Sequence, residues 1–151
     1  MVSPLNEKSL KLHRVLKAKP ELVFDVWTSP EHLMRWFSPS EEITNPFIHV
    51  DLREGGTYEI AFLNPDGSQV VVGGTYLSIE KPHKLIFTWA WEDHPEFGSH
   101  EMLVTVDILE HAEGTELILT HEKLLPGPIF EEHSRGWNGC LDRLSSVIGE
   151  F

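Results

Sequence analysis

Residues 117–148 read LILTHEKLLPGPIFEEHSRGWNGCLDRLSSVI, and inside this stretch the apolar period changes from two to a helical one. Leu117, Leu119 and His121 fall on one face of a pleated strand, where alternate side chains share a side. Pro126-Gly127-Pro128 breaks that pattern. Beyond the break Phe130, Trp137, Leu141, Leu144 and Ile148 recur at helical spacings, with Glu131, Glu132, Arg135, Asp142 and Arg143 among them. The spacing predicts an amphipathic helix of about five turns. A helix with one apolar stripe needs a surface to cover, and the residues before it supply one.

Working back from the helix, Met102, Val104, Val106 and Ile108 share one face of a strand, and before them Leu85, Phe87, Trp89 and Trp91 share another, opposite Lys84, Thr88 and Glu92. Tyr58, Ile60 and Phe62 repeat the pattern, and so do Ile48, Val50 and Leu52. Turn residues separate the runs: Gly55-Gly56, Asn64-Pro65-Asp66-Gly67, Lys81-Pro82-His83 and Ala112-Glu113-Gly114. Turns this short join antiparallel neighbours. Val70–Glu80 reads as a further strand, with a bulge or bend expected at Gly73-Gly74. Near the start, Leu10, Leu12 and Leu16 mark a first strand. Lys19-Pro20-Glu21 and Ser29-Pro30-Glu31 then open two short helices, with Ser29 expected to cap the second and Pro39 to end it. Their stripes are Leu22, Val23, Val26, Trp27 and then Leu33, Trp36, Phe37. The order predicts an α+β fold: a six- or seven-stranded antiparallel sheet curled around the long C-terminal helix, with two short helices after the first strand. The 151 residues are expected to form one domain, 1–151, with space between sheet and helix.

Twelve Lys and Arg against twenty-four Asp and Glu give a net charge of −12, which argues against nucleic acid and anionic membrane surfaces as partners. The single cysteine, Cys140, excludes an internal disulfide. No secretory signal is visible in the first nine residues, and the longest apolar runs fall short of the ~20 residues that span a bilayer. The expectation is a cytoplasmic protein without membrane insertion.

Several segments carry a resemblance. Pro20-Glu21-Leu22-Val23-Phe24-Asp25-Val26-Trp27 is followed by Pro30-Glu31-His32-Leu33 and Arg35-Trp36-Phe37. Asp51-Leu52-Arg53-Glu54-Gly55-Gly56, Leu85-Ile86-Phe87-Thr88-Trp89, Gly136-Trp137 and Leu141-Asp142-Arg143-Leu144 complete the series. From Leu10 to Ile148 the chain resembles the activator of heat-shock-protein-90 ATPase homologue-like family, within the START-like (SRPBCC) helix-grip superfamily. The resemblance implies a sheet gripping the C-terminal helix around a cavity. It also implies a partner: a small apolar or aromatic molecule, with a chaperone as the alternative. The same fold hosts lipid carriers, hormone receptors and cyclases, so an interaction module and a cavity enzyme of cyclase or hydrolase type remain alternatives to a binder.

The candidate cavity residues are Trp36, Tyr58, Phe62, Phe87, Trp89, Trp91, His121 and Trp137. Large aromatic rings on inward positions either fill a core or wall a ligand site. A histidine at the end of an inward run either orients a ligand hydroxyl or carbonyl, acts as an acid–base group, or is a satisfied core residue. Asp51 and Arg53, two apart on an expected strand face, read as an exposed or rim ion pair that fixes the glycine turn, or as a head-group grip. Asp93, His94, Glu96 and His100 gather in one loop, but no H-E-x-x-H spacing occurs. Neither Ser99 nor Cys140 has a nucleophile's surroundings, and the adjacent acids Glu41-Glu42 and Glu131-Glu132 diverge. No catalytic residue, metal or cofactor is expected, and an enzyme is the less favoured reading.

Overall fold

Proline opens each helix, and a run of alternating residues forms each long strand. The computed structural model describes residues 7–92, 94, 98 and 100–151. The order is β1 (Lys8–Leu16), α1 (Pro20–Thr28), α2 (Pro30–Trp36), β2 (Ile48–Val50), β3 (Thr57–Leu63), β4 (Gln69–Glu80), β5 (Lys84–Glu92), β6 (Met102–His111), β7 (Gly114–Leu124) and α3 (Pro128–Val147). A short 3₁₀ turn, Ile148–Glu150, follows α3. Among the described residues the strands form one seven-stranded antiparallel sheet in the order β1-β7-β6-β5-β4-β3-β2. The fold is α+β, a curved sheet holding a long C-terminal helix.

Alternation decides which side of the sheet is dry. In β5 Leu85, Phe87 and Trp89 are buried while their neighbours are half-buried. The register aligns Phe87 with Val104, Val104 with His121, and His121 with Leu10, so one row of side chains crosses four strands. Over this face lies α3, which buries His133, Trp137, Cys140, Leu141 and Leu144. Covering its stripe is what stabilises such a helix, since propensity alone rarely does.

Four expectations need correction. First, β2 ends at Val50, so Asp51 and Arg53 belong to a turn, where they form an exposed ion pair at 2.9 Å. Their alternation with Leu52 is real in sequence, but Leu52 is exposed and has no core to face. Second, the β4–β5 register shifts between Tyr76 and Ser78, leaving Leu77 as the extra residue, 53% exposed. Gly74 instead marks a close approach: a Cβ there would lie 2.0 Å from the Thr88 carbonyl oxygen. Third, Ser29 stands at the N-cap of α2 without a side-chain capping hydrogen bond. Its carbonyl instead accepts from the Leu33 N–H at 2.9 Å. Fourth, α2 stops at Trp36, before Pro39 is reached, and Phe37 closes it by donating its N–H to the Leu33 carbonyl at 2.7 Å.

Candidate functional site

The chain leaving α2 is clamped on two sides. Trp36, fully buried, donates its indole N–H to the Val26 carbonyl at 3.0 Å and so ties α2 to α1. The Asn45 amide donates to the carbonyls of Phe37 at 3.2 Å and Ala61 at 2.9 Å, which holds Phe37 beside β3. From the other side Arg143 of α3 donates to the Ser38 carbonyl at 3.3 Å and to the Ser38 hydroxyl. Pro39 then lies directly on α3, where a Cβ on Gly139 would meet the Pro39 carbonyl oxygen at 2.3 Å. Glycine is the residue that permits this contact.

These clamps leave a cavity of about 300 Å³ between the sheet and α3. Phe62, Val70, Trp89 and Trp91 wall it from the sheet, and His133, Gly136, Trp137 and Cys140 from the helix. Phe37, Pro39 and Ile43 close a third side, while Asn64, His94 and Glu132 also line it. The rings pack edge to face. Trp89 meets Trp91 at 5.7 Å and 90°, and Phe37 meets Trp137 at 5.5 Å and 90°. Trp89 and Trp137 approach to 5.0 Å.

Two imidazoles accept from these rings, His133 on the cavity wall and His121 outside it. His133 Nε2 receives the indole N–H of Trp91 at 2.9 Å and of Trp89 at 3.4 Å. Indole nitrogen only donates, so Nε2 is unprotonated and Nδ1 carries the hydrogen, given to the Ile129 carbonyl at 2.7 Å. His121 Nδ1 receives the Trp137 N–H at 2.9 Å, which places the His121 hydrogen on Nε2. That nitrogen is buried and has no hydrogen-bond partner among the described residues. The two imidazole rings lie 5.0 Å apart.

The same burial sets the protonation states. Desolvation, with neighbouring His133 adding to it, holds His121 well below the ordinary histidine value. Desolvation also lowers His133, opposed by its bond to the Ile129 carbonyl and reinforced by His94. The Cys140 thiol is pushed up to about 12 by burial and stays protonated. His121, His133 and Cys140 are therefore held in their neutral forms, and Glu132 is the one carboxylate among the described lining residues.

Of the residues singled out from sequence, Phe62, Trp89, Trp91 and Trp137 come together on this cavity. Tyr58, Phe87 and again Trp89 line a second void of about 20 Å³, room for little more than a water. Trp36 and His121 line neither. His121 is 0% exposed and bonded to the cavity-lining Trp137, a poor place for an acid–base group. Of the loop cluster, Asp93 and Glu96 lie outside the described residues, as does Ser99. His100 is held at the Lys123 carbonyl, at 2.7 Å. Among the described residues no three His, Cys, Asp or Glu side chains are gathered as metal ligands.

Sequence reasoning did not place His133, Phe37 or Asn45 at the site, although Phe37 belongs to the expected stripe of the second helix. His133 stands one helical turn, four residues, before Trp137, and that spacing was a usable signal. The clamp by Asn45 depends on contacts distant in the chain and had none.

No described helix is long and apolar enough to cross a membrane. No curated protein matches the chain significantly. Solved structures do. A protein of Chromobacterium violaceum is 27% identical, with 93% of this chain and 96% of that one covered and a TM-score of 0.80. The AHSA1 protein of Silicibacter pomeroyi is 25% identical over 94% and 98%, with a TM-score of 0.83. A Plasmodium falciparum protein described as an HSP90 activator is 25% identical over 93% and 96%, with a TM-score of 0.71. The model of the family described as Activator of Hsp90 ATPase homolog 1-like protein matches residues 17–149, and the chain belongs to that family.

Proposed function

We propose that the protein binds a small, largely apolar molecule in the cavity between β5 and α3. The observation that carries this reading is the unfilled space itself: about 300 Å³ bounded by aromatic rings, against about 20 Å³ in the second void. Small-molecule pockets begin at about this volume and are mainly apolar with a few polar groups. Trp91 is the half-buried wall, and Trp89 and Trp137 form the floor. In this reading His121 supports the floor rather than touching the ligand.

The test uses the protein's own tryptophans. Bicyclic aromatic probes are titrated while emission is followed, and a freshly purified sample is weighed by native mass spectrometry for a retained molecule. A saturable emission change, lost in Trp91→Ala, is the expected result. If no probe alters emission or melting temperature up to its solubility, the binding reading falls.

A second reading rests on the Plasmodium falciparum relative described as an HSP90 activator. Here the protein would act as a chaperone-associated module in the cytoplasm. Its test is direct: adding the protein to a purified heat-shock-protein-90 chaperone should raise ATP hydrolysis, and an unchanged rate excludes it.

A further inference from the structure

Aromatic cavities usually keep a few polar atoms to orient what they bind. Here the obvious donors are already taken. The three tryptophans lining the cavity give their indole N–H groups to imidazoles: Trp91 and Trp89 to His133, Trp137 to His121. The buried Cys140 thiol remains protonated and is a weak donor. What these side chains turn toward the space is therefore ring face and edge. The other polar side chains of the lining are Glu132, which is exposed, and Asn64 and His94, which are half-buried.

We infer that the ligand is a flat aromatic hydrocarbon-like molecule whose inner end carries no hydrogen-bonding atom, any polar substituent facing the less buried Glu132, Asn64 and His94. His133 is then the specificity-determining positioning residue. By collecting two indole N–H groups on one nitrogen it fixes the ring planes and withholds the donors that would recognise a carbonyl or ring nitrogen. A buried acceptor left without a donor costs about 1–3 kcal/mol, enough to exclude a polar isostere from such a site. This inference rests on the binding reading above and narrows it.

The experiment compares naphthalene with 1,5-naphthyridine. The second has the same bicycle with a ring nitrogen at either end, so one nitrogen faces inward whichever way it enters. Affinities are measured for the wild type, His133→Leu and His133→Gln. The amide oxygen of glutamine takes the place of Nε2 as acceptor; leucine offers none. The wild type should favour naphthalene by at least tenfold. His133→Leu should shrink that preference by tenfold or more, and His133→Gln should restore it. Should His133→Leu fail to fold, the wild-type indole N–H resonances serve instead. Naphthalene should shift them by ring current, while naphthyridine at equal concentration adds no downfield hydrogen-bond shift. A preference unchanged in His133→Leu, or a downfield indole shift on adding naphthyridine to the wild type, overturns the inference alone. Binding of neither probe by the wild type overturns the binding reading and this inference together.

Discussion

Trp137 and Trp91 differ in how much of each ring is covered, and that difference separates support from contact. Trp137 is 3% exposed, stacked near Trp27 and bonded to His121. Trp137→Ala should cost about 3–5 kcal/mol, as core tryptophan truncations do. Trp91 is only partly buried, so Trp91→Ala should cost clearly less while weakening probe binding more. Urea unfolding beside a probe titration checks both, and equal stability losses would contradict this division. The imidazoles give a second prediction at this scale. Burial lowers His121 and His133 in the folded chain, so unfolded histidines take up protons near the ordinary value of ~6.5 while these two still refuse them. Stability should therefore be fully present above about pH 6.5 and fall as the pH drops toward the folded values. Urea midpoints between pH 7.5 and 5.5 should show the fall, flattened in the double variant His121→Asn, His133→Gln. A flat wild-type profile would mean both rings already bind protons when folded. The Cys140 thiol should resist a thiol reagent in native protein and react once urea exposes it.

At the level of elements, the contact between α3 and the chain after α2 is the tightest part of the site. Gly139 touches the Pro39 backbone, and Arg143 holds Ser38 a helical turn away. Gly139→Ala removes a helix-weakening glycine, a gain of about 1 kcal/mol in an open helix. Here the new methyl would overlap a carbonyl oxygen, and overpacking of that kind costs about 1–3 kcal/mol. The expected balance is a net loss of stability and a cavity altered in volume, measured by urea unfolding and by probe affinity. A more stable Gly139→Ala would show that Pro39 moves aside at little cost. The elements themselves were readable beforehand because proline starts and period-two runs are local signals. Leu52 and Ser29 misled the reading because each obeys a local rule that the tertiary structure does not use. The inward direction of Phe62, Trp89 and Trp137 was readable for the same local reason. The pairing of indoles with imidazoles was not, since it joins side chains 16 to 44 residues apart on β5, β7 and α3, and only tertiary packing brings them together.

Across the whole molecule, acidic groups outnumber basic ones by twelve and lie mostly at the surface. Like charges repel within a compact chain, and salt screens them. Raising sodium chloride at pH 7.5 should therefore raise the melting temperature, and a melting temperature that falls with salt would count against net repulsion. The sheet order carries a different kind of consequence. β1 and β7 are neighbours, with Leu12 opposite Leu119. On the ribosome roughly 100 residues must be added between them, so at about 5–20 residues per second the first strand waits on the order of 5–20 s for its partner. Throughout that interval Leu10 and Leu16, both destined for the core, are carried by a nascent chain that has nothing to pair them with.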